Sequence, residues 1–233
     1  MFCRSLLLTF TPPYRIRNVI KQMEFIGVKS LFIVVLTGLF AGMVLALQSF
    51  HGLRKFGAES LMGGIVALSL AREMGPVMTS LMVNARAGSA IAAEIGTMRI
   101  TEQIDALQTM AVNPIQYLVV PRIWAGILML PLLTAISILV GIIGSYLVGV
   151  VLLNINSGVF INKMVKMVEI SDLIQGMVKS IVFGLILTLI GCYKGFYTTG
   201  GAEGVGRATT EAVVITSVSI LIGTYVITSL LFR

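Results

Sequence analysis

Arg72 and Glu73 fall in the middle of an apolar stretch that runs from Ser60 to Val83. On insertion scales, charge surrounded by hydrocarbon costs about 2.5–3.5 kcal/mol per residue, so such groups pair or face water. Pro76 follows four residues after Arg72. Proline has no N–H, so the carbonyl of Arg72 loses its α-helical donor, and Gly75 loosens the same turn. A break of this kind within a bilayer is tolerated where it lines a cavity or is buried in protein. Two readings follow: a structural ion pair between helices, or a polar spot on a translocation path. Lys179, near the start of a later apolar run, is a candidate companion, unless it snorkels to the interface.

Little else in the chain could do chemistry. His51 is the single histidine, so a His-rich metal site and an H-E-x-x-H protease are excluded. Cys3 and Cys192 are far apart and form no C-x-x-C pattern, which builds neither a disulfide framework nor a zinc site. Gly201 to Ala208 nearly fits the phosphate-binding loop G-x4-G-K-[ST] but has Arg207 for Lys and Ala208 for Ser or Thr. No strand precedes it, so a flexible turn before the last span is expected there rather than a nucleotide site. No Ser-His-Asp, Cys-His or paired-carboxylate arrangement appears. The chain is therefore not expected to be an enzyme, to bind metal or to carry a cofactor of its own, and any ATPase that drives it must be a separate subunit.

The surroundings of these residues are those of an integral membrane protein. The 233 residues are 57% hydrophobic and 12% charged, with a mean hydropathy of +0.98, where a soluble domain carries about 25% charge. The net charge of +7 would suggest nucleic acid in a soluble protein. Here it is read as Lys and Arg holding loops against anionic lipid, with no nucleic-acid partner. Crossing a bilayer takes about 20 apolar residues. Five stretches meet this: 30–53, 60–83, 123–153, 173–193 and 212–232. With the N-terminus inside, 11 of the 17 Lys and Arg face the cytoplasm, which favours that orientation. The run Leu6–Phe10 is too short for a signal peptide. Residues 1–29 form an N-terminal interfacial segment with an amphipathic helix over 14–28, and residues 154–170 form an external one. Small residues at four-residue spacing (Gly38 and Gly42; Gly141, Ser145 and Gly149; Gly191 and Gly195) let helices approach closely, either within one subunit or at a dimer seam.

Between the second and third spans lies a polar insert, residues 86–112. At 100° per residue, Ala93, Ile100, Ile104 and Leu107 share an arc, and Glu94, Glu102 and Asp105 lie nearly opposite with Arg99 at their flank. One amphipathic helix with an acidic face is expected, capped by Ser89 and ended at Asn113-Pro114. It could lie on the membrane. Interfacial helices are usually basic, however, so a soluble protein partner is the better occupant of this face.

These residues resemble a known family. GLFAGMVLALQ (38–48), AREMGPVMTSLMVNARAGSAIAAEIGTMRITEQIDALQTMAVNP (71–114) and GAEGVGRATTEAVV (201–214) are similar to the signature blocks of MlaE-type permeases. The resemblance runs from about Tyr14 to the end. One departure is Thr224, where many members carry an acidic residue. The resemblance implies a single permease domain over 1–233, all-α, with five transmembrane helices, an interfacial N-terminal helix and a cytoplasmic coupling helix. It implies an ATP-driven ABC transporter that moves phospholipid between the inner and outer membranes of a double-membraned bacterium and maintains outer-membrane lipid asymmetry. Implied partners are a second permease copy, an ATPase (MlaF-like) that binds ATP and Mg, an MCE-domain protein (MlaD-like) and a STAS-domain protein (MlaB-like). Glu94, Arg99, Glu102 and Asp105 would contact the ATPase. Leu45, Gln48, Phe56, Arg72, Glu73 and Met74 occupy positions matching the family's lipid cavity. The competing expectation is a self-contained secondary transporter or channel using Arg72, Glu73 and Lys179 as an ion relay.

Overall fold

The computed structural model describes residues 16–231. The part of the N-terminal interfacial segment before Ile16, with Cys3 and the Leu6–Phe10 run, lies outside them, as does Phe232 at the end of the fifth expected span. Among the described residues there are helices and no strands. The elements are α1 (Ile16–Ile26), α2 (Leu31–Arg54), α3 (Met62–Ser69), α4 (Gly75–Val83), α5 (Ser89–Ile100), α6 (Gln103–Thr109), α7 (Val120–Tyr146), α8 (Ser157–Met167), α9 (Ile170–Phe196) and α10 (Gly201–Leu231). Within the helical runs, wider π-helical turns occupy Leu70–Met74, Asn84–Gly88, Ile115–Val119 and Leu147–Leu152. Among the described residues, five runs are long and apolar enough to cross a membrane: Ile16–Arg54, Glu59–Ile100, Ile115–Leu152, Ile170–Phe196 and Gly201–Leu230. The chain is a multi-pass, all-α membrane protein. Helix is the form that satisfies every backbone N–H and C=O without water.

The contacts gather into two compact units. Of the described residues, the first holds 16–30, 80–130 and 181–226. Small residues set its packing. Gly184 lies against the backbone of Gly126, Gly191 against Gly88, and Gly195 against Ala92 and Ile95. Ile91, Ala92 and Ile95 are fully buried as a result. α1 is amphipathic as expected, with Ile16 and Ile20 exposed and Ile26 buried.

The second unit holds residues 31–79, 131–180 and 227–231. Its core is Ala46, Phe50, Met62, Val66, Leu70, Val148 and Phe160. Gly38 faces Ser137, and Gly42 lies on the backbone of Gly141. The four-residue spacing of these small residues thus serves packing within the subunit. α8 falls in the segment expected to be interfacial. Asn156 caps it by accepting from the N–H groups of Gly158 and Val159. Phe160 then sits over Gly63 and Met167 over Gly64, where side chains on α3 would leave no room.

Four local expectations are corrected. Gly201–Ala208 is not a flexible turn but the first two turns of α10. Gly200 and Gly201 have positive φ and absorb the change of direction, after which glycine accepts the helix like any other residue. From Gly204, whose N–H donates to the carbonyl of Gly200, the N–H groups of this segment are taken up by the helix. The polar insert is two helices, α5 and α6, rather than one. Glu102 between them takes the left-handed conformation at φ 57°. Ser89 does not cap. It follows the Asn84–Gly88 turn without a break, and its hydroxyl donates back to the carbonyls of Ala85 and Arg86. Asn113 does not end α6, which stops at Thr109; its side chain accepts from the N–H of Ile115 and starts the next run.

A Cβ at Gly42 would overlap the backbone of Gly141, whereas one at Gly52 would meet nothing within 4 Å. Gly42→Ala should destabilise the protein by about 1–3 kcal/mol, the usual cost of overpacking. Gly52→Ala should be neutral or slightly stabilising. Thermal unfolding in detergent distinguishes them.

Candidate functional site

Four charges inside the apolar runs, Arg72, Glu73, Asp172 and Lys179, are held in one network in the second unit. Arg72 and Glu73 sit on the π-helical turn Leu70–Met74, which widens the helix just before Pro76. They do not pair with each other. The Arg72 guanidinium grips Asp172 Oδ1 with both Nε and a terminal nitrogen at 2.6 Å. The other Asp172 oxygen accepts from the N–H of Glu169 at 2.9 Å. Lys179 Nζ donates to Glu73 Oε1 at 2.5 Å and to the carbonyl of Arg72 at 2.9 Å. That carbonyl is the one whose α-helical donor Pro76 lacks, so the ammonium occupies the acceptor that the proline left open. Thr228 of α10 donates its hydroxyl to the same Glu73 oxygen at 2.9 Å.

Burial ranks these groups. The side chains of Lys179 and Asp172 are each 1% exposed, against 35% for Glu73 and 29% for Arg72. Two fully desolvated charges therefore stand behind two that still reach the surface, each neutralised by a partner of opposite sign. A buried charge that keeps its partner is tolerable, and one that loses it is strongly destabilising.

Of the residues expected to line a lipid cavity, Arg72 and Glu73 are brought together by this network. Leu45 and Met74 are half-buried and pack against the core of the same unit. Gln48 is exposed, and so is Phe56, on the turn after α2. Asp172 and Thr228 were not anticipated. Asp172 had a signal, since it precedes Lys179 by seven residues, two helical turns, on one face of α9. Thr228 had none, because a lone hydroxyl in an apolar helix usually bonds its own backbone.

In the first unit, the expected partner-facing charges take different roles. Glu94 is bound to Arg122 at 2.8 Å. Arg122 is almost wholly buried and also donates to the carbonyl of Leu118 at 2.7 Å. Arg99 and Asp105 pair at 2.7 Å across the break between α5 and α6, stapling the two helices. Glu102, at that break, has no ion pair among the described residues and is fully available. The buried face is Ile91, Ala92, Ile95 and Gly96 on α5 and Ile104 on α6. It is not the single arc that ran through Ala93, Ile100 and Leu107, because the break resets the helical phase.

Lys179→Met should strand Glu73 and cost about 3–5 kcal/mol in stability. Adding Glu73→Gln should recover much of that loss, so a double-mutant cycle on detergent unfolding should show strong coupling.

The chain matches the family model described as Permease MlaE over residues 19–230. It is 49% identical over 222 residues, covering 95% of this chain and 86% of the relative, to a probable ABC transporter permease protein of Rickettsia typhi. It is 43% identical over 214 residues, covering 91% and 82%, to the intermembrane phospholipid transport system permease protein MlaE of Haemophilus influenzae. It is 40% identical over 217 residues, covering 93% and 62%, to the chloroplastic protein TRIGALACTOSYLDIACYLGLYCEROL 1 of Arabidopsis thaliana. With five apolar helical runs, a paired charge cluster within them and a polar insert after the second, the chain belongs to the MlaE family of ABC transporter permeases.

Proposed function

We propose that this chain is the membrane-spanning subunit of an ATP-driven transporter that moves phospholipid between the inner and outer membranes of a double-membraned bacterium. The observation that carries this reading is the insert α5–α6 within a chain of this family. It is polar, stapled by its own ion pair and open to solvent at Glu102. A relative at 43% identity is named for intermembrane phospholipid transport. Ion pairing inside the insert pre-orders its shape, which lowers the cost of docking.

On this reading the N-terminus is cytoplasmic, and the insert docks in a separate ATPase that binds ATP and Mg. Two permease copies form the core, joined by an MCE-domain protein and a STAS-domain protein. Glu102 supplies an exposed contact to the ATPase, with Arg99 and Asp105 shaping the surface and Glu94 acting through Arg122. Lipid lies along Leu45, Phe56 and Met74, whose apolar surfaces suit acyl chains, with the amide of Gln48 available to a headgroup. Arg72 and Glu73 are the polar groups that a headgroup would meet.

Glu102→Lys should weaken association with the ATPase at least tenfold while the subunit still inserts and folds. Glu94→Gln should instead lower stability, because it strands buried Arg122. Co-purification of tagged subunit from its native host, with mass spectrometry of bound protein and lipid, checks both. Normal assembly and stimulated ATP hydrolysis with Glu102→Lys would remove the insert from the docking role. Recovery of the chain with neither an ATPase nor phospholipid would remove the transporter reading itself.

A further inference from the structure

Asn84 is buried to 1% exposure at the start of the π-helical turn Asn84–Gly88, which runs without a break into the insert helix α5. Its side-chain amide donates to the carbonyl of Val213 at 3.0 Å and to the hydroxyl of Ser217 at 3.1 Å, both on α10. A carbonyl can only accept, so the Val213 contact fixes which end of the amide is the nitrogen. The oxygen at the other end is buried and has no partner. It lies in the space that a side chain at position 88 would fill. On α10 the neighbouring Thr216 hydroxyl is likewise buried and unpartnered. Other α10 hydroxyls, at Thr209, Ser219 and Thr224, all bond the carbonyl one turn back.

A buried amide that makes two bonds with one end and none with the other is under-satisfied, and such groups call for an explanation beyond packing. Isolated π-helical turns concentrate at functional positions, because the extra residue can be accommodated in more than one register. The flank of the insert helix is also smooth. Gly191 and Gly195 of α9 meet Gly88, Ala92 and Ile95 with no side chain of their own to interlock. Among the described residues, the Asn84 amide ties this turn to α10 through Val213 and Ser217.

α10 carries a second tie of the same kind. Thr228 donates to Glu73 on the π-helical turn Leu70–Met74. Glu73 precedes Asn84 by eleven residues, and Thr228 follows Ser217 by eleven. Eleven residues are close to three full turns of an α-helix, so Ser217 and Thr228 lie on one face of α10. These two π-helical turns, each within its own unit, thus have a polar partner on α10.

We propose that Asn84 is the positioning residue through which a shift of the insert reaches α10. When α5 moves, the Asn84–Gly88 turn changes register, the amide releases Val213 and Ser217, and its orphan oxygen gains a donor. α10 is then free to shift along its contact with the insert. The proposal rests on the reading of α5–α6 as the ATPase-docking insert.

The test uses the complete complex, captured with its ATPase and reconstituted in phospholipid vesicles, with ATP hydrolysis and lipid transfer measured together. Asn84→Ala should leave assembly and basal hydrolysis within about twofold of the parent and lower the lipid moved per ATP at least tenfold. Asn84→Asp, which keeps the shape but not the donors, should match it. Gly88→Ala, which displaces the amide, should give the same phenotype, and Ser217→Ala, which removes one bond of two, an intermediate one. Asn84→Cys with Ser217→Cys, in a background lacking Cys3 and Cys192, should stop transfer when oxidised and regain it on reduction. Transfer per ATP unchanged in Asn84→Ala, or transfer persisting across an oxidised bridge verified by gel shift, would overturn the proposal and leave the docking reading standing. Failure of the parent chain to capture any ATPase would overturn both.

Discussion

Much of this structure follows from the requirement that no charge within an apolar helix be left alone. Lys179 is the extreme case, an ammonium almost wholly removed from solvent. It takes three donors into the protein, and the known acceptors are a carboxylate and a main-chain carbonyl. Those acceptors are adjacent residues on one turn, so Lys179 fixes both the position of Glu73 and the distorted backbone around Pro76. Asp172, two helical turns earlier, does the same for Arg72. The two salt bridges between them lock α9 to the Leu70–Met74 turn, and Gly176, between Asp172 and Lys179, lets α9 approach closely enough to reach the backbone of Ala71. Close approach and charge pairing depend on each other here. Long side chains at position 176 would hold the partners out of range.

The sequence carried the architecture well and the local geometry less so. Five apolar stretches were visible because hydrocarbon thickness sets a length that composition alone reports, and all five appear as helices. The freed carbonyl of Arg72 was deducible from Pro76, whereas Lys179 stood only as a candidate companion of the two charges, with snorkelling as the alternative, and its bond to that carbonyl came from the structure. The break at Thr101–Glu102 was not. Nothing in T-E-Q is a breaker, and a left-handed glutamate is favoured only because Arg99 and Asp105 can then meet across the break. A periodicity argument assumes a single helix and so assigns the wrong buried arc once the phase is reset. The G-rich segment at 201–208 misled in the opposite direction. Glycine permits turns without requiring them, and two glycines at its head were enough to make one.

The partner-facing residues show a further limit of reading charge from sequence. Glu94, Glu102 and Asp105 look equivalent as acidic positions on a polar segment. In the folded chain one neutralises a buried arginine, one staples two helices and one stands open to solvent. Only three-dimensional proximity separates them, since Arg122 lies 28 positions away from Glu94 in the chain. Charged side chains of the same type thus divide into structural and accessible classes, and a single sequence does not mark the division.

The order of the charge partners along the chain bears on how the protein is made. Arg72 and Glu73 belong to the second apolar run, whereas Asp172 and Lys179 belong to the fourth. During synthesis the second run meets the bilayer roughly a hundred residues before its counter-charges exist, since domains emerge N-terminal end first. Until then its two charges each carry an insertion penalty of about 2.5–3.5 kcal/mol. The run must therefore wait in a hydrated or protein-lined setting, at the insertion machinery or against earlier helices, until the fourth run arrives. Completion of α9 is then a checkpoint in biogenesis, and a chain truncated before Lys179 is an intermediate with exposed intramembrane charge that membrane quality control can recognise.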